Sequence, residues 1–181
     1  MYKNINNYFT IKSDYWDDFY KDCKDIKDII LVERKNIIKK YIKDNFDKNS
    51  KILDLGGGTG VLSSELIKMG YKVDMLDISE KMIDQAKQKY KNLNINIFEN
   101  KLICGNFLDL KLENTYNVVT ALGFFEYQED YSKNLNKIYY YLSDNGQVVF
   151  NLPIKYNLSN FFGLSRYVNN IKNNFKKNIH P

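Results

Sequence analysis

The segment 54–60, read Asp-Leu-Gly-Gly-Gly-Thr-Gly, constrains the fold of this chain more than any other feature. It follows a short, largely apolar segment, Lys51–Leu55, that predicts a buried strand, and it leads into a helical pattern over 59–69. Glycines permit backbone angles that other residues avoid, and they let a ligand approach the main chain. Because a helix N-terminus exposes free N–H groups, a glycine-rich turn at this junction predicts a nucleotide-type binding site.

Strand and helix patterns alternate along the rest of the core. Strands are predicted at 51–55, 72–77, 101–104, 118–122 and 147–152. Helices are predicted at 59–69, from the capping Ser79 onward, and at 130–142, with Gly70 closing the first and a turn at 144–146. The helix after Ser79 should bury Met82, Ile83, Ala86 and Tyr90. The alternation predicts the α/β class: a Rossmann-like three-layer α/β/α sandwich with a mostly parallel sheet.

Helical segments are expected on both sides of this core, within a single domain of 181 residues. Residues 1–46 are predicted to form a helical arm, with one helix from Ser13 to Tyr20 and another at 25–46. The apolar face of the second is predicted as Ile29, Val32, Ile37, Tyr41 and Ile42. Residues 47–153 form the core, and 154–181 a basic amphipathic helix that would begin a cover over the substrate or lie on a membrane surface.

The net charge of +5 is unevenly distributed. Residues 151–181 contain five Lys or Arg and no Asp or Glu, whereas the first 150 residues are balanced. A basic face can attract phosphates, nucleic acid or a membrane surface. The simpler interpretation is a solvated helix face, and an anionic substrate is left open.

The sequence argues against a metal site, a redox motif and a membrane span. Cys23 and Cys104 have no metal-ligand spacing, and His180 is the single histidine. Cys104 is expected to end a buried strand as a small apolar residue. No apolar run approaches the length of a transmembrane helix, and no signal peptide follows Met1, so a cytoplasmic location is expected.

Asp77 narrows the class of ligand. It ends the second predicted strand, about 20 residues after Gly56, where a carboxylate can accept both hydroxyls of a ribose. The glycines are spaced G-x-G-x-G, not G-x-G-x-x-G, and Asp54 beside them would repel a pyrophosphate. An ammonium group suits that carboxylate. S-adenosylmethionine (SAM) has ribose hydroxyls, an ammonium group and no phosphate, so it is the expected cofactor.

These residues resemble the class I SAM-dependent methyltransferases. The resemblance covers about residues 8–153, with matching stretches at 51–60, 73–82, 105–107, 116–130 and 142–153. It is greatest with enzymes that tailor quinones, pigments, sugars and similar metabolites. The aromatic opening, Tyr8-Phe9 through Tyr20 and followed by Arg34, is similar to the arm of magnesium-protoporphyrin methyltransferases. The family closes its sheet with two further strands, which this chain is expected to lack.

The resemblance implies cofactor contacts at particular residues. The methionine part would lie over Gly56, Gly58 and Gly60, with its ammonium oriented by Asp54 and backbone near Leu122 and Gly123. The ribose would bind Asp77, and the adenine would contact Ile78, Met82, Asn106 and Phe107. Tyr20 would close over the cofactor, and Arg34 would meet its carboxylate, unless they are a core tyrosine and a solvated arginine.

Glu126 and Tyr127 are the candidate catalytic residues, since they follow the fourth strand and should face the cleft. Glu126 would act as a base and Tyr127 as an orienting hydroxyl, although an acid here also suits a first helical turn. His180 is a weaker candidate. The leading prediction is O- or N-methylation of a small metabolite, such as a sugar, nucleotide sugar or secondary-metabolite intermediate.

Three other functions compete with that prediction. The basic tail suggests nucleic-acid methylation, but the sequence Ala-Leu-Gly-Phe at 121–124 departs from the Asn/Asp-Pro-Pro-Tyr/Phe loop of base amino methylation. The lack of a histidine near the cleft leaves a non-catalytic SAM-binding protein open. The glycine spacing and Asp54 argue against a nicotinamide-dependent oxidoreductase.

Overall fold

The structure is a computed structural model that describes Tyr8 and residues 26–128 and 130–152. Its helices are α1 (Ile26–Asn45), α2 (Val61–Lys68), α3 (Glu80–Asn92) and α4 (Tyr131–Tyr141). Its strands are β1 (Lys51–Leu55), β2 (Lys72–Asp77), β3 (Leu102–Cys104), β4 (Tyr116–Ala121) and β5 (Leu142–Phe150). A single 3₁₀ turn, Phe125–Tyr127, lies between β4 and α4. The predicted helices at 13–20 and 158–175 lie outside the described residues.

The five strands form one parallel sheet in the order β3-β2-β1-β4-β5. The chain builds outward from β1 in one direction and from β4 in the other, so the order reverses between these two strands. In sheets of this type, ligands bind in the crevice at the carboxyl ends of the strands beside that reversal. The predicted α/β/α class and the parallel sheet are confirmed.

Side chains alternate along each strand, so the two faces of the sheet pack into different hydrophobic cores. Ile52, Val73, Val118 and Val149 pack on one face against α1 and α2, and Met75 packs there against α3. Leu53, Leu55, Val119 and Ala121 face the other way and pack with Ile138 of α4 and Phe125 of the 3₁₀ turn. The short buried strands follow directly from this arrangement, since helices cover both faces of a parallel sheet.

Helix ends agree with the local sequence, with small shifts. Asp130 caps α4 by accepting from the Lys133 N–H, and Ser79 caps α3 by accepting from Met82. α2 begins at Val61, not at residue 59, because Gly60 is the N-cap in the left-handed region at φ 74°. The buried face predicted for α3, Met82, Ile83, Ala86 and Tyr90, is confirmed.

Three predictions differ from the structure. The buried face of α1 is predicted correctly at Ile42, but it also includes Ile38, whereas Ile29 and Ile37 are exposed, because the helix is partly rotated from the predicted phase. The predicted turn at 144–146 lies inside β5 as a register shift: Tyr116 pairs with Leu142 but Val118 with Gln147. Cys104 is exposed, since β3 is the edge strand.

The described helices include none with both the length and the apolar character needed to span a bilayer.

Candidate active site

A cavity of about 190 Å³ lies beside the carboxyl ends of β1, β2 and β4. Its walls come from the glycine loop after β1, from the end of β2, from the segment after β3 and from the loop and 3₁₀ turn after β4. Helix α1 adds Leu31 and Arg34. The cavity therefore occupies the crevice that the strand order predicts.

The glycine loop is fixed against β2 by its own backbone. The N–H groups of Gly56 and Gly57 donate to the Leu76 carbonyl at 2.8 and 3.2 Å. Gly58 has φ 56°, and a Cβ built on it would meet no atom within 4 Å, so its surface faces open space in the cavity wall. Close approach of a ligand to this backbone is therefore unobstructed.

Gly60 packs behind the loop. It is not among the residues that line the cavity; a Cβ there would lie 3.2 Å from Ala86 and 3.4 Å from Met75 and Tyr90. Its φ of 74° also places it as the N-cap of α2. The third glycine thus lets α3 and β2 pack closely behind the loop, whereas Gly56 and Gly58 line the cavity. Contact of these three glycines with a cofactor stays a prediction.

Asp77 is joined to the glycine loop. Its Oδ2 accepts a hydrogen bond from the Gly58 N–H at 2.9 Å, and its Oδ1 accepts from the Ser79 N–H at 2.9 Å. The side chain is largely buried yet lines the cavity. Burial raises the pKa of Asp77, while the backbone donors partly offset that effect. The two sequence signals, loop and acid, therefore form one local unit.

Asp54 lies deeper, with 2% of the residue exposed. Its Oδ1 accepts from the Thr120 hydroxyl at 2.7 Å and its Oδ2 from the Ser63 hydroxyl at 2.5 Å. Burial and, to a smaller extent, nearby Asp77 raise the pKa of Asp54 to about 6, against the lowering effect of both hydroxyls. Ser63 and Thr120 were not predicted as site residues.

The predicted adenine contacts also line the cavity: Ile78, Met82, Asn106 and Phe107. Met82 and Phe107 are buried, and Phe107 packs edge-on against Phe124. The Asn106 side chain is held locally, since Oδ1 accepts from the Leu108 N–H at 3.2 Å and Nδ2 donates to Asp109 at 2.8 Å. One lone pair of that carbonyl oxygen remains for a ligand.

Opposite these residues, Glu126 and Tyr127 line the cavity from the 3₁₀ turn after β4, with Leu122 and Gly123 beside them. The Glu126 Oε1 accepts from Asn151 Nδ2 at 2.8 Å and lies 3.8 Å from Arg34 Nη1. The Tyr127 ring lies 6.3 Å from that of Tyr8. Burial, and then Glu126 and Tyr8, raise the pKa of Tyr127.

Arg34 is placed by α1 in the cavity wall, near Glu126. Its Nε is buried and has no hydrogen-bond partner among the described residues. Tyr20, predicted to close over the cofactor, lies outside the described residues, as does His180. Asn151, Leu31 and Gln128 were missed by the sequence analysis. No local pattern distinguishes them, because their roles depend on contacts between distant segments.

The fold and the cavity define a Rossmann-like α/β protein with a nucleotide-type site at the strand ends. Residues 52–146, more than half of the chain, match a family described as a methyltransferase domain. The chain belongs to this family.

The relatives of this chain are named for different methyl acceptors. The malonyl-(acyl-carrier protein) O-methyltransferase 1 of Ilyobacter polytropus is 26% identical over 153 residues, covering 82% of this chain and 51% of that protein. The release factor glutamine methyltransferase of Streptococcus pneumoniae is 27% identical over 128 residues, covering 67% of this chain and 44% of that protein. The chain thus spans about half the length of these relatives.

Among solved structures, the magnesium protoporphyrin IX methyltransferase of Synechocystis PCC 6803, with bound SAH, superposes with a TM-score of 0.75. It is 19% identical, and the match covers 85% of this chain and 73% of that one. At this identity the likeness shows the fold, and it agrees with the architecture described above.

Proposed function

We propose that this protein transfers a methyl group from SAM to an oxygen or nitrogen atom of a small metabolite. One observation carries the proposal: Gly58 donates to Asp77 at 2.9 Å, which sets the open face of the glycine loop beside a buried carboxylate at the end of β2. The family match supports a methyltransferase, and the SAH bound to the structural relative supports the same class of cofactor.

The charges of the cavity wall fit this cofactor. Among the described residues, the wall carries three carboxylates, Asp54, Asp77 and Glu126, and one guanidinium, Arg34. SAM has a sulfonium, an ammonium and a single carboxylate, so a mainly acidic wall with one cation is complementary to it. The buried Arg34 Nε is a donor that an anionic group of a ligand would satisfy.

Different chemical groups of SAM would contact different residues of the proposed cofactor site. Asp77 would hold the ribose hydroxyls, and Asp54 the ammonium, directly or through water. Arg34 would meet the carboxylate. The remaining contacts would come from the loop, the adenine wall and the segment after β4: Gly56, Gly58, Ile78, Met82, Asn106, Phe107 and Leu122. Tyr20 stays a prediction for closure over the cofactor.

When bound, SAM supplies a methyl group on a sulfonium, an electrophile whose leaving group is a neutral thioether. The chain's own residues would orient the acceptor and receive its proton. Glu126 is the proposed base, and a positioned base typically contributes about 10²–10⁴-fold. The phenol of Tyr127 would donate a hydrogen bond to the acceptor, and the upward shift of its pKa favours this protonated form.

A small acceptor is favoured by the residues of the cavity wall that are not assigned to the cofactor. Leu31, Phe124 and Gln128 combine apolar surface with one amide, as small-molecule sites commonly do. Relatives named for malonyl-(acyl-carrier protein) and magnesium protoporphyrin IX support a metabolite-like acceptor. We propose a sugar, nucleotide sugar or secondary-metabolite intermediate, with an anionic group left open, and residues 154–181 as its cover within one domain.

Transfer of label tests this proposal. SAM labelled in its methyl group would be offered with a mixture of sugars, nucleotide sugars and phenols, and separately with total RNA and with protein. We expect label in the small-molecule fraction, lost about 10²-fold or more in Glu126→Gln. Glu113→Gln, on an exposed side chain that pairs with Lys101, should leave transfer unchanged.

Label in RNA or protein alone would contradict the metabolite class. No label in any fraction, from protein that binds SAM, would contradict catalysis and favour a non-catalytic SAM-binding protein.

A further inference from the structure

Asn151 connects two parts of the cavity wall. It lies directly after β5 and is 1% exposed. Its Oδ1 accepts a hydrogen bond from the Gly123 N–H at 2.6 Å, and its Nδ2 donates to Glu126 Oε1 at 2.8 Å. The amide thus bridges the loop after β4 and the 3₁₀ turn that carries the proposed base.

The orientation of this amide is dictated by the backbone. Only the carbonyl oxygen of an asparagine side chain can accept from an N–H, so the Gly123 contact fixes which end of Asn151 faces Glu126. The end that remains is a donor pair. Asn151 can therefore hold a carboxylate oxygen, and this choice does not depend on Glu126 itself.

The same contact selects one oxygen of Glu126. Oε1 accepts from Asn151 and faces Arg34 Nη1 at 3.8 Å, whereas no described residue hydrogen-bonds to Oε2. Glu126 sits on a turn of only three residues, which gives the side chain little support of its own. Its direction in the cavity therefore depends on partners from α1 and from the end of β5.

We propose that Asn151 is the positioning residue for Glu126: it holds Oε1 so that Oε2 is presented to the methyl acceptor. This inference rests on the proposed function. The acceptor O–H or N–H bond breaks as its proton passes to Oε2, and its electron pair stays on the acceptor atom. The proton leaves Glu126 to solvent afterwards, so the residue is restored.

The variant Asn151→Asp separates this role from folding. It keeps an oxygen for the Gly123 N–H but replaces the donor facing Glu126 with a second carboxylate. Asn117 offers a matched control at the opposite end of the strands: its Oδ1 accepts from the Lys51 N–H at 2.8 Å, and its Nδ2 donates to Ser143 at 3.1 Å. Asn117→Asp makes the same chemical change away from the cavity.

The first measurement needs no acceptor. NMR three-bond couplings would report the rotamers of residue 126 in the full chain with SAH bound. We expect one rotamer in the wild type and in Asn117→Asp, and several in Asn151→Asp. Asn151→Asp combined with Glu126→Gln reverses donor and acceptor across the same contact, so it should restore one rotamer. A single rotamer in Asn151→Asp would overturn the proposal.

The second measurement is turnover, with the SAM Kd determined by calorimetry for each variant. Asn151→Asp should lower kcat about 10-fold or more at an unchanged SAM Kd, and it should change kcat less than 2-fold in the Glu126→Gln background. A full additional loss in that background would overturn the proposal. If wild type fails to bind SAM or SAH, the proposed function fails, and the rotamers of residue 126 measured without SAH still decide whether Asn151 holds Glu126.

Discussion

The N–H of Gly58 and the carboxylate of Asp77 are joined by a hydrogen bond of 2.9 Å. The loop and the acid come from different βα units, so this bond sets the distance between the two parts of the cavity that the proposal assigns to the cofactor. A change on either side should therefore affect SAM binding.

Gly58→Ala should weaken SAM binding as well as stability. Its φ of 56° costs a non-glycine residue about 1–2 kcal/mol, and the new methyl group would enter the open cavity. Gly70→Ala is the matched control, because Gly70 has φ 94° but closes α2 away from the cavity. Urea denaturation and calorimetry should show both variants destabilised and only Gly58→Ala impaired in binding. Equal SAM Kd values for Gly58→Ala and Gly70→Ala would contradict this account of the loop.

Asp54→Asn should stabilise the protein at neutral pH. Burial raises the pKa of Asp54 from 3.8 to about 6, so the folded state holds a proton that the unfolded state releases between these values. The wild type should therefore lose up to about 3 kcal/mol relative to Asp54→Asn as pH rises from about 4 to 6, with no further change above. Urea denaturation across this range measures the difference.

The same substitution should weaken binding of a cationic ligand, because it removes the charge that would face the ammonium. Asp84→Asn, on an exposed side chain of α3, is the control for both effects. A stability difference that does not vary between pH 4 and 6 would show that Asp54 ionises normally in the folded protein.

Ile38→Ala should cost about 2–5 kcal/mol of unfolding free energy, because Ile38 is 1% exposed in the core between α1, α2 and the sheet. Ile37→Ala should stay within about 0.5 kcal/mol, since Ile37 is 40% exposed. Denaturation of the two variants under one condition compares them directly. The reverse order of stabilities would mean that α1 packs in the rotation predicted from sequence.

The helix phase illustrates what sequence could and could not predict. The strands and α3 were predictable because burial forces apolar residues into short runs and into one clear stripe, as at Met82, Ile83 and Ala86. In α1, isoleucines occur on several sides of the helix, so periodicity identified Ile42 but not Ile38 as buried. Packing against Leu62 and Leu66 of α2 decides the rotation, and it is not visible locally.

The candidate site likewise contains residues that the sequence could predict and residues that it could not. Asp54, Gly58 and Asp77 were predictable because their spacing along one βαβ unit is itself the signal. Thr120 and Asn151 were not, since Thr120 reaches Asp54 across neighbouring strands and Asn151 reaches Glu126 from a strand further along the sheet. Partners from distant segments leave no spacing to recognise.

Calorimetric titration with SAM and SAH tests the central claim most directly, on the wild type, Asp77→Ala and the control Asp84→Asn. We expect micromolar binding by the wild type and by Asp84→Asn, weakened about 10-fold or more by Asp77→Ala, which corresponds to about 1.4 kcal/mol. Absence of binding by folded wild-type protein, or equal binding by Asp77→Ala, would contradict the assignment of this cavity to the cofactor.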